Sequence, residues 1–100
     1  MSETVDDLTI RYEENGVEVV KQLDKHVLSK GSWSTVMYLY QEWSPKNEEY
    51  GPEKVSVRRY QKRNDRFQQK SKFNISSAKQ ARQMVEVFQK WFPENAESKK

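Results

Sequence analysis

One hundred residues at 34% hydrophobic and 33% charged content suit one small domain with a modest core, and the absence of cysteine excludes disulfides and thiolate metal sites. No apolar run approaches the ~20 residues of a membrane span, and no secretory signal is recognisable, so a soluble, cytoplasmic protein is expected. The net charge of +3 conceals a split: residues 1–53 carry eleven acids and five cations, residues 54–100 thirteen cations and four acids, which points to an anionic partner or to halves that neutralise each other.

Residues 1–7 are polar and acidic and are expected to be disordered. Leu8, Ile10 and Tyr12 then alternate with polar residues, as do Val17 and Val19 around Glu18. Asn15-Gly16 between these runs tolerates positive φ at both positions and predicts a type I′ hairpin. The second strand runs towards Leu28 with a break or bulge near Asp24. After the turn at 29–32, residues 33–43 are rich in β-branched and aromatic side chains. Met37 and Leu39 fall on one side, Val36, Tyr38 and Tyr40 on the other, as in a central strand. Trp33 and Trp43 bracket it as packing anchors, contact with a ligand being the alternative. Residues 44–53 form a Pro- and Gly-bearing loop.

Residues 54–63 and 66–75 make the next hairpin. Val55 and Val57 mark one face of its first strand, and Phe67, Phe73 and Ile75 one face of its second. A three-residue loop, Arg63-Asn64-Asp65, brings these sets together with Asp65 left-handed; a two-residue loop would place them on opposite faces. The chain closes with a helix: Ser77 and Gln80 form a capping box, Ser76 competes as the cap, and Pro93 stops the element. Ala81, Met84, Val85, Phe88, Trp91 and Phe92 recur at helical spacing on one stripe. Residues 8–92 are thus one domain, and 93–100 a disordered tail.

Catalysis finds little support. His26 is the only histidine, Glu13/Glu14 and Glu48/Glu49 read as solvated neighbours, and Gly16, Gly31 and Gly51 are too scattered to cradle a phosphate. No enzyme activity, cofactor, metal or small-molecule substrate is expected. The hairpin is the informative feature: from Lys54 to Lys72 it holds eight of the eighteen cations against one acid, Asp65. With the three-residue loop, one face presents Lys54, Arg58, Tyr60, Lys62, Arg66, Gln68, Lys70 and Lys72. Lys62 would then oppose Arg66, and Arg58 oppose Lys70. Like charges directly opposite destabilise a sheet by a few tenths of a kcal/mol or more, whereas a surface tracking phosphates gains from them. Tyr60 among the cations, with Tyr38 and Tyr40 on the neighbouring strand, matches the recipe for single strands, in which bases stack on rings while cations follow the backbone. The competing reading is edge protection by the cations, their neutralisation by the acidic half, and tyrosines that are simply core.

Several strands followed by one C-terminal amphipathic helix resembles the transcriptional coactivator family called positive cofactor four and its bacterial relatives. "QEWSPKNEEYGPEKVSV", residues 41–57, is similar to that family's tryptophan–loop–Pro–Lys–strand segment. "KFNISSAKQARQMVEVFQKWF", residues 72–92, is similar to its last strand and capped helix. The resemblance implies single-stranded DNA binding on a curved basic and aromatic sheet, with dimerisation largely through the helix.

The expected fold is α+β: a twisted antiparallel meander of four to five strands, then one C-terminal amphipathic helix packed on its apolar face. The expected function is non-enzymatic binding of single-stranded DNA or RNA through Lys54, Arg58, Tyr60, Lys62, Arg66, Lys70, Lys72, Tyr38 and Tyr40. A homodimer is expected through Met84, Val85, Phe88, Trp91 and Phe92. The alternative is a protein-interaction module that uses the aromatic sheet or the helix stripe as its interface.

Overall fold

The structure, a computed structural model, describes residues 4–93. Tyr12–Glu14 (β1) and Val17–Ser29 (β2) form the first hairpin, with Asn15 and Gly16 at φ 52° and 82°, the two left-handed positions that the Asn-Gly signal predicts. Trp33–Ser44 (β3), Glu49–Tyr50 (β4), Lys54–Arg63 (β5) and Arg66–Ile75 (β6) follow, and Ala78–Trp91 is the helix α1. The antiparallel sheet runs β1-β2-β3-β5-β6, with the two-residue β4 pairing the end of β3. It is an α+β meander closed by one C-terminal helix, as the patterns indicate, and β3 lies at its centre. β2 slips register between Gln22 and Asp24 and again between Val27 and Ser29. The first slip is the irregularity expected beside Asp24.

The core occupies one side of the sheet, here called the inner face. Val36, Tyr38, Tyr40 and Tyr60 are buried there with Val5 and Ile10, and Leu8, Val20, Val27 and Phe67 pack around them. The lid over this face is the N-terminal segment. Val5–Asp7 is a short 3-10 turn with Val5 buried, so the disorder expected over 1–7 does not reach Val5; residues 1–3 and the 94–100 part of the expected tail lie outside the described residues. The segment is fastened by side chains instead of a long ladder. The Lys25 ammonium donates to the carbonyls of Val5, Asp6 and Leu8 at 2.9, 3.0 and 2.7 Å. Gln22 Oε1 accepts from Thr9 Oγ1 and from the Ile10 amide at 2.7 and 3.0 Å.

The other side, the outer face, carries Met37, Leu39, Val55, Val57, Phe73 and Ile75, and α1 approaches it chiefly at β6. Ser77 caps α1 by accepting from the Gln80 amide at 3.1 Å, while the Gln80 side chain reaches back to the Ser76 amide. α1 lies against the apolar face, as expected of it, but loosely: no residue of α1 is buried. Ala81, Met84, Val85 and Phe88 instead face Met37, Val55 and Phe73 across an apolar cleft of 340 Å³. Trp91 and Phe92 are 65% and 73% exposed.

Candidate nucleic-acid interface

The β5–β6 hairpin turns in two residues, not three. Arg63 pairs with Arg66, and both Asn64 and Asp65 are left-handed, at φ 53° and 64°. That turn alone would set Val55 and Val57 on the face opposite Phe73 and Ile75. The structure restores them to one face with a register shift between Arg59, opposite Ser71, and Tyr60, opposite Gln69, which leaves Lys70 as an extra residue. Val55 therefore faces Ile75 and Val57 faces Phe73, but Phe67 faces Lys62 on the inner side. The expectation that Phe67 shares a face with Phe73 fails because the bulge inverts the alternation once along β6.

The predicted stacking tyrosines are core. Tyr38, Tyr40 and Tyr60 are 1%, 6% and 6% exposed. The Tyr38 and Tyr60 hydroxyls hydrogen-bond each other at 3.0 Å, and Phe67 meets Tyr60 edge to face. Burial, reinforced by the Tyr60 hydroxyl, pushes the Tyr38 phenol far above its ordinary range. None of the three offers a ring to a base, because residues 4–10 cover the face on which they stand. Alternation along β3 and β5 does put these rings on one side with Arg58; burial under the N-terminal segment is what alternation does not carry.

The predicted cations separate into distinct environments. Arg58 is half-buried, its Nε donating to Ser56 Oγ at 3.0 Å and a terminal nitrogen to Gln69 Oε1 at 3.1 Å, so it braces the inner face. Lys54 pairs with Glu42 at 2.8 Å, and that hydrogen bond holds it charged. Lys62 lies over the Phe67 ring at 5.4 Å. Arg66, Lys70 and Lys72 are exposed along β6. The expected like-charge oppositions change partners: Arg58 stands opposite Lys72, and Arg63 opposite Arg66.

The outer face supplies residues that reading β5 from Val55 and Val57 passed over. The same parity continues through Arg59, Gln61 and Arg63, so this face is apolar beside α1 and basic beyond it. Trp33 pairs with Gln61, and the Arg59 guanidinium lies 4.6 Å from the Trp33 ring centre. Trp33 is 41% exposed, not the packing anchor expected; Trp43 does pack, edge to face on Tyr50 at 5.1 Å. Among the described residues, Lys54 is the one hairpin cation in an ion pair; the acids Glu13 and Glu18 are engaged with Arg11 on and beside β1, at the opposite edge of the sheet. Wholesale neutralisation of the hairpin by the acidic half is thus not what the sheet order arranges.

Also among the described residues, no three His, Cys, Asp or Glu side chains gather as a metal site, and no helix is long and apolar enough to cross a membrane. Comparison of the chain with protein-family models, curated proteins and solved structures finds no match.

Proposed function

We propose that the chain is a non-enzymatic, cytoplasmic protein that binds single-stranded nucleic acid, DNA or RNA, through the basic end of the β5–β6 hairpin. The observation that carries the reading is the set Arg59, Arg63 and Arg66 on the outer face, with Lys70 at the bulge and Lys72 on the inner side opposite Arg58, all exposed and without an acidic partner among the described residues. Opposing like charges such as Arg63 and Arg66 cost the bare sheet a few tenths of a kcal/mol or more. A phosphate backbone turns that cost into attraction and releases counterions on binding. The meander followed by a helix agrees with the likeness to the positive cofactor four family, and the proposal extends to that kinship. It differs over the buried tyrosines.

Affinity for a single strand should fall with salt, with a log–log slope of about −0.7 per phosphate neutralised. Changing Arg63, Arg66 and Lys70 together to Gln should flatten the slope and leave the circular dichroism unchanged. The same change at Lys79 and Lys90, exposed on α1, should do little. Equal weakening by both sets would reduce the effect to general positive charge, and no binding by the wild type at low salt would reject the reading.

A second surface supports assembly. Val85, Phe88, Trp91 and Phe92 are each at least half exposed, beside exposed Phe73 and Leu28. An apolar patch of this extent is unusual on a monomer. We propose that α1 and the outer face meet a second copy of the chain about a two-fold axis. The competing partner, a different protein, is the interaction-module alternative.

A further inference from the structure

We infer that Trp33 is the base-stacking platform of this surface, held in position by Arg59, and that its ligand is an unpaired nucleobase of a single strand. The inference rests on the single-strand reading above and identifies the ring that the buried tyrosines cannot supply. Trp33 opens β3 immediately after Gly31-Ser32, at the margin of the sheet. Its partner on β5 is Gln61, so Arg59, two residues back on the same face, is its diagonal neighbour. The guanidinium at 4.6 Å from the ring centre braces the indole, while 41% of the residue stays open to solvent. A large apolar ring held by a cation, on a residue still 41% open to solvent, can take a stacked base. Thr35, Gln61 and Arg63 extend the same face and are polar or cationic. An apolar protein partner would meet charge here, whereas a nucleotide would find a ring for its base and cations for its phosphates. Bases inside a duplex have no free face, so the platform selects single strands.

The test uses the full chain with two probes, a single-stranded oligothymidylate and a strand of equal length made of abasic units. Trp33→Ala should bind the oligothymidylate roughly 5-fold to 150-fold more weakly than wild type. It should match wild type on the abasic strand and keep the salt slope. Trp33→Phe should retain most of the affinity, and Trp33→Leu, apolar but not stacking, should lose it as alanine does. Thermal melts of all three should stay close to wild type, since the side chain is open to solvent. If wild type binds with a normal salt slope and Trp33→Ala or Trp33→Leu binds equally well, the platform is rejected while the single-strand reading stands. If wild type binds neither probe at low salt, both are rejected together.

Discussion

Tyr38 and Tyr60 share a buried hydroxyl pair at 3.0 Å, and each hydroxyl depends on the other. Tyr38→Phe should therefore destabilise the fold by about 1 kcal/mol, through the lost bond and the Tyr60 hydroxyl left behind. The double change to Phe should cost less than the sum of the single ones; additive losses in denaturant melts would show that the hydroxyls are satisfied elsewhere. The pair also predicts alkaline sensitivity. Tyr38 is held protonated in the folded chain by burial first and by the Tyr60 hydrogen bond second. In the unfolded chain it ionises near its ordinary value of 10.0. Below that pH both states keep the proton and the stability is intact. Above it the unfolded state sheds the proton and the folded state does not, so stability falls as pH rises past the ordinary tyrosine value. Tyr38→Phe should show a shallower alkaline loss than wild type in melts on either side of that pH.

At the scale of elements, two fastenings decide which surfaces are covered. The N-terminal segment lies over the inner face because Lys25 binds three of its carbonyls. Lys25→Met keeps the length of the side chain but removes those bonds, and should cost roughly 1.5–3 kcal/mol, as for hydrogen bonds to a charged group. Amide exchange over residues 5–10 should accelerate more than exchange in β3 and β5. Uniform acceleration would mean that the segment is not a separately fastened lid. The second device is the extra residue at Lys70. Deleting it would restore strict alternation and force either Phe67 off the core or Phe73 and Ile75 off the outer face. Losing the packing of the partly buried Phe67, or of the buried Ile75, costs up to about 1.5–3 kcal/mol, so a deletion variant that melts with wild type would contradict the register.

The whole molecule is polarised twice. Glu13, Glu14 and Glu18 lie on and beside β1 and the cations gather at the β5–β6 edge, with two strands, β2 and β3, between. The inner face is closed by the chain's own N-terminal segment, while α1 and the apolar part of the outer face remain open. A dimer that covers them should dissociate when Phe88 and Trp91 are both changed to Glu, with secondary structure retained. Sedimentation should then shift from dimer to monomer; a wild type that stays monomeric at high concentration would show that the patch serves another partner. Because the basic hairpin end lies beyond the apolar zone, the dissociated variant should still bind single strands, with affinity reduced only by the loss of a second site.

Much of the architecture was legible from local rules. Asn15-Gly16 specified its hairpin because both residues accept positive φ. Residues 33–43 declared a central strand by carrying large side chains on both parities, and Ser77 announced the start of the helix. The concentration of cations between Lys54 and Lys72 is likewise a property of the sequence. What the sequence could not decide was which face each cation and ring would occupy. A single bulge residue, Lys70, inverts the alternation, and nothing in its identity marks it as extra, since a bulge is set by how two distant faces must both be satisfied. Nor could alternation tell a solvated tyrosine face from a covered one. Val5, Leu8 and Ile10 are a short apolar set in an acidic leader, and only their docking across β2 and β3 turns Tyr38, Tyr40 and Tyr60 into core. That long-range burial left Trp33 and Arg59, on the other face, as the aromatic and cationic pair open to solvent.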